Sequence, residues 1–228
     1  MNMRIEELKV LTNKLEAQKE FYKTTLGFEL IEESDTQFSI QVGWTYLTFI
    51  QSVEPHTYHY CFLIPSNKLE EGLKWFDQRL ETVTLEDGGK TVHFDSWNAD
   101  SFYFYDGAGN IAECIVRHEL KNESGTEFNL SDLLCVNEIG IGTSSIPAFD
   151  QQLKKEMDVN LWKGDLTRFA AHGSQEGLFL LADYHMKETW FPTQIKIKAS
   201  PFEAVIKNNN RQYAVEYKND VLTSREME

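Results

Sequence analysis

The stretch Trp97-Asn98-Ala99-Asp100-Ser101-Phe102-Tyr103-Phe104-Tyr105-Asp106-Gly107-Ala108-Gly109-Asn110-Ile111-Ala112-Glu113-Cys114-Ile115-Val116 reads as a strand, a glycine turn and a second strand. Within Asp106-Gly107-Ala108-Gly109-Asn110, the glycines supply positive φ, and Asp and Asn bond to nearby backbone. Strands over 101–105 and 111–116 flank the turn. Glu113 lies among Ile111, Ala112, Cys114 and Ile115. A carboxylate in so apolar a strand is costly unless something pairs with it, so Glu113 is a candidate ligand or catalytic group.

Working outward, the same order of elements recurs. A strand over 5–12 precedes an amphipathic helix over 15–26, with Gly27 as its C-terminal cap, and then strands over 28–33, 37–42 and 46–51. The second pass has a strand over 58–64, a helix over 69–80 with Leu69, Leu73, Phe76 and Leu80 at helical spacing, and strands over 82–86, 101–105 and 111–116. Each is a βαβββ unit. A polar linker spans 120–132. A third unit follows, with a strand over 134–143, a helix over 146–157 and strands over 160–163, 168–172 and 178–182. The fourth is incomplete, with a strand over 193–198, a short helix over 201–208, a strand over 212–217 and a loose charged tail over 223–228. Repeats of this kind are a fold-level signal. The expected fold is α+β, with paired βαβββ modules forming curved mixed sheets. It is divided into residues 1–119, the linker 120–132 and a degenerate second domain over 133–228.

The bulk properties exclude several roles. A formal net charge of −14 opposes binding to nucleic acid or to an anionic membrane surface. No apolar run approaches the roughly 20 residues that a membrane span needs. Residues 1–7 lack the apolar core of a signal peptide, and three widely spaced cysteines form no disulfide framework or zinc motif, so a cytoplasmic setting is expected. Cys61 and Cys114 read as small buried hydrophobes.

The aromatic strand, the Asp-x-x-Gly-Asn turn and Glu113 resemble the last hairpin of a vicinal oxygen chelate module. That superfamily includes glyoxalase I, extradiol dioxygenases and bleomycin-resistance proteins. Leu15-Glu16 followed by Phe21-Tyr22 and Leu26-Gly27-Phe28 resembles the helix and exit of the family's first unit. The two motifs cover residues 5–117; beyond 130 the likeness rests on element order. The resemblance implies a divalent metal in a concave cleft, held by the first and last strands of the units. The first-strand position falls on Glu7, the corresponding position of the second unit on His59, and the last-strand Glu on Glu113. Thr48 takes the first unit's last-strand position and is a poor ligand. The implied metal set is therefore Glu7, His59 and Glu113, with Glu113 also the catalytic group. Two carboxylates and one imidazole suit Fe²⁺, Mn²⁺, Zn²⁺ or Mg²⁺.

In the third unit Glu138 falls where Glu7 does in the first, but the fourth unit offers only Thr193 opposite it and has no final Glu hairpin. The C-terminal half is thus expected to pack against or cover the cleft. His93 sits on a loop with possible reach into it. The resemblance implies a small-molecule ligand and leaves two functions open. One is a metal-dependent dioxygenase, lyase or isomerase acting on adjacent oxygens. The other is a metal-free, drug-sequestering protein of the bleomycin-resistance type. A homo-oligomer is also open, since family members pair units between chains.

Overall fold

A computed structural model describes residues 2–227; Met1 and Glu228, the outermost residues of the expected domains and tail, lie outside it. The fold is α+β, with two curled mixed sheets and few helices. The first unit runs β1 (Met3–Thr12), α1 (Leu15–Glu20), β2 (Leu30–Glu33), β3 (Gln37–Val42) and β4 (Thr45–Gln51). The second is β5 (His59–Leu63), α2 (Leu69–Asp77), β6 (Thr91–Phe94), β7 (Ala99–Tyr105) and β8 (Ile111–Arg117). The third is β9 (Cys135–Thr143), α3 (Ile146–Met157), β10 (Leu161–Gly164), β11 (Phe169–Ser174) and β12 (Gly177–Asp183). The fourth has strands alone, β13 (Phe202–Asn208), β14 (Arg211–Lys218) and β15 (Val221–Glu226).

The sheets do not join the units in chain order. One sheet runs β15-β14-β13-β1-β4-β3-β2 and unites the first unit with the fourth. The other runs β10-β11-β12-β9-β5-β8-β7-β6 and unites the second with the third. The seams are antiparallel pairs of first strands, β1 with β13 and β5 with β9. Each sheet therefore takes one unit from 1–119 and one from 133–228.

Local chemistry explains the elements. Ile5, Leu8 and Val10 of β1 face the core, and a bulge between Ile5 and Glu7 keeps Glu7 and Lys9 on the other face. Helix α3 starts where the Ser145 hydroxyl accepts from the Ala148 amide and ends at Asp158 in the left-handed region. The first helix, expected to be continuous, widens into π turns over Phe21–Leu26 and closes on Gly27 at φ 87°. One apolar core takes residues from all four units, among them Tyr22, Phe49, Phe76, Phe104, Phe179 and Tyr217.

Four expected segments differ. Residues 82–86 make only an isolated bridge from Thr82 to Phe104, and the strand forms at β6 instead. Residues 184–201 form no strand but a strap that crosses the second sheet, with Trp190 against Gly140 and Lys198 against Gly142. The segment 201–208, expected as a helix, is strand β13, because Phe202, Ala204 and Ile206 alternate inward. The charged tail up to Glu226 is ordered as edge strand β15, anchored by buried Leu222.

Candidate functional site

The β5–β9 seam builds the site. Cys61 on β5 is aligned with Glu113 on β8 and with Glu138 on β9, and His59 lies two residues along β5 on the same face. One donor atom from each of His59, Glu113 and Glu138 lies within 4.8 Å of the other two. All three side chains are buried. His59 Nδ1 lies 3.3 Å from the Ile111 carbonyl oxygen. Donation from Nδ1 leaves the Nε2 lone pair toward Glu113, whose Oε2 is 3.4 Å away.

Electrostatics mark the cluster as two buried carboxyls that share one buried cation, Arg117. Burial, then the neighbouring Glu138 carboxylate, pushes the Glu113 carboxyl up to about 8, against the Ser101 hydroxyl, the Arg117 guanidinium and the Tyr103 hydroxyl. Burial pulls His59 down to about 4, so its ring is neutral at pH 7. Glu138 is also raised by burial, opposed by its ion pair with Arg117. The Arg117 guanidinium is fully buried beside the Trp97 and Trp162 rings, and its Nε donates to Asn137 Oδ1 at 3.0 Å.

The cluster opens into a cavity of about 350 Å³ walled by Phe94, Trp97, Tyr103, Phe169, Trp190 and Phe191. The strap supplies the last two, and the Trp190 ring sits 5.3 Å from that of His59. Gly140 makes this approach possible, since a Cβ there would lie 2.7 Å from the Trp190 ring.

The cluster thus joins His59 and Glu113 and leaves Glu7 out. Glu7 is on the other sheet, where it lines an open groove with Lys9 and Glu203. There Lys9 is aligned with Thr48 and Glu203, just as Cys61 is aligned with Glu113 and Glu138. Glu7, Thr48 and Glu203 therefore occupy the register positions of His59, Glu113 and Glu138 in the second sheet's counterpart. The first-strand partner of His59 is Glu138, because β5 pairs with β9. The signal for it was a polar Asn137-Glu138 pair inside an apolar strand. The third-unit counterpart of Glu113 is Leu180, opposite Gly140, so the fourth donor position is apolar. Thr193 lies in the strap. His93 is half exposed on β6, with Nδ1 2.8 Å from Asp100 Oδ1, and does not line the cavity. Burial raises the Cys61 and Cys114 thiols, which keeps them unreactive.

The three donors fit a divalent cation. They come from three adjacent strands on one face, combine one neutral imidazole with two carboxylates, and include a carboxyl that burial and the neighbouring Glu138 drive to hold its proton.

Comparison with known proteins supports this architecture. A putative dioxygenase from Bacillus subtilis subsp. subtilis str. 168 is similar over 98% of this chain and 84% of its own, with a TM-score of 0.57 and 11% identity. A V278E glyoxalase I mutant from Zea mays is similar over 99% of this chain and 92% of its own, with a TM-score of 0.53 and 12% identity. A glyoxalase/bleomycin resistance protein/dioxygenase from Nocardioides matches 54% of this chain and 85% of its own, with a TM-score of 0.41 and 19% identity. No family model matches the sequence, and no curated protein does. The chain shares its fold with the Bacillus subtilis putative dioxygenase and the Zea mays glyoxalase I structures. Among the described residues, no helix is long and apolar enough to cross a membrane.

Proposed function

We propose that this chain binds one divalent metal through His59, Glu113 and Glu138 and acts on a small molecule bearing two adjacent oxygens. The observation that carries this reading is the convergence of three buried donors at the floor of an aromatic cavity. When bound, Fe²⁺, Mn²⁺, Zn²⁺ or Mg²⁺ supplies a Lewis acid that holds the paired oxygens and stabilises an oxyanion. The chain's own residues do the rest. The Ile111 carbonyl fixes the His59 tautomer. The aromatic walls exclude water and orient the ligand. Glu113, a carboxylate at the floor of the cavity, is the group assigned to take up and return a proton at a ligand held there. The reading retains His59 and Glu113 from the sequence and replaces Glu7 by Glu138.

One observation favours the metal-free alternative. Arg117 already pairs with Glu138 and neutralises it, as in a site that closes on an organic ligand alone. Elemental analysis of the purified protein separates the two readings. About one divalent metal per chain is expected, retained in Glu7→Ala and lost in His59→Ala and Glu138→Ala while the circular dichroism spectrum persists. Absence of stoichiometric metal, even after reconstitution, would leave only the metal-free reading.

A further inference from the structure

The mouth of this cavity carries a feature that the metal cluster does not use. Arg168 and Lys187 both line the cavity in a chain whose net charge is −14. Among the described residues neither makes an ion pair. Lys187 is half-buried on the strap, and its Nζ donates to the Thr189 carbonyl at 2.6 Å, which leaves two donors free. Asp165 accepts from the Arg168 backbone amide, at 2.8 Å, rather than from its guanidinium. Burial disfavours the charged form of Lys187, and the neighbouring Arg168 charge disfavours it further. Like charges held together beside an apolar cavity are stabilised when an anion enters between them.

We infer that the ligand is an aromatic carboxylate, its ring held between the aromatic walls and its carboxylate bound by Arg168 and Lys187. This rests on the reading of the cavity as the ligand site and adds the charge of what it takes. A planar guanidinium and a flexible ammonium together satisfy both oxygens of one carboxylate. The cavity, about 350 Å³, lies at the small end of the roughly 300–1,000 Å³ range of ligand pockets, which suits a molecule of one or two rings. The two cations also select against neutral analogues, since such a ligand leaves them unpaired.

The test is calorimetric titration with 2-naphthoate and with its neutral amide, on the protein as isolated and again after chelation. Because Arg168 and Lys187 are not among the three donors, the preference should appear in both preparations. The carboxylate is expected to bind about tenfold or more tightly than the amide, the worth of charge-assisted bonds. In the Arg168→Gln/Lys187→Gln double variant the two should bind alike, with amide affinity and metal content unchanged. Equal affinities in the parent, no binding of the carboxylate, or a preference that survives in the double variant would each overturn the inference. A protein that takes up no metal even after reconstitution, yet still prefers the carboxylate, would refute the metal centre and leave this inference standing.

Discussion

At the scale of single residues, Glu113 and His59 have opposite effects on stability. In the folded, metal-free chain, burial and Glu138 push Glu113 up to about 8, from 4.5. Between those values the folded chain keeps a proton that the unfolded chain has released, so stability falls as pH rises. Burial holds His59 at about 4, below its ordinary 6.5. Between those values the unfolded chain holds the extra proton, so stability rises with pH. Glu138, raised by burial, acts in the same direction as Glu113. His59 therefore offsets part of the loss below pH 6.5, and from 6.5 to about 8 it no longer does so. One proton is worth about 1.4 kcal/mol per pH unit, so the chelated protein should lose on the order of 2 kcal/mol across that window. Glu113→Gln should flatten most of the decline. Urea denaturation at pH 6.5 and pH 8, with chelator present, checks this; stability that holds or rises would refute the assigned protonation. Added divalent metal should reverse the trend, because it favours the ionised carboxylates.

At the scale of elements, the hairpin turn between β7 and β8 ties the two sheets together. Asp106, buried, accepts from the Ala108 and Asn110 amides at 2.9 Å, from Asn110 Nδ2 at 2.8 Å, from Gln18 Nε2 at 2.5 Å and from the Tyr60 hydroxyl. Gln18 belongs to α1, so a turn of the second sheet holds the helix of the first. Gly107 lets them meet, since a Cβ there would lie 2.2 Å from the Ala17 carbonyl oxygen. Asp106→Ala leaves several buried donors without an acceptor and should destabilise by about 3–5 kcal/mol, while Gly107→Ala should cost about 1–3 kcal/mol. Because both act on one contact, the double variant should lose less than the sum. An Asp106→Ala variant within about 1 kcal/mol of the parent would refute this role. The hairpin was legible in sequence because its turn chemistry is local, and helix 146–157 because Ser145, Pro147 and the apolar spacing agree. Strand β13 was not, since Glu203, Ala204 and Lys207 suit a helix and only pairing with β1 selects the strand. Glu138 was recognised as the counterpart of Glu7, but no local signal reports which first strands become neighbours. The choice between the two carboxylates therefore lay outside the sequence pattern.

At the scale of the whole molecule, that choice of neighbours makes the two halves of the chain interdependent. Cutting between 119 and 120 would separate β1 from β13 and β5 from β9, turning both central seams into open edges. It would also split one core that draws on all four units. A pair of 1–119 fragments joined through β5 would bring His59 toward a second β5 and supply no Glu138. Open edges and an exposed half-core favour association over folding. Fragment 1–119 should therefore show no cooperative unfolding transition as a monomer. Co-expression with 120–228 should restore both sheets, and with them the His59–Glu113–Glu138 cluster. Thermal unfolding followed by near-ultraviolet circular dichroism reads the first outcome, and metal content of the co-purified fragments reads the second. A monomeric 1–119 that melts cooperatively and retains metal would mean that the second unit completes its site with the first, with Glu7 rather than Glu138 beside His59. Metal recovered only in the reconstituted pair would tie the centre to the β5–β9 seam, to which each half contributes a strand.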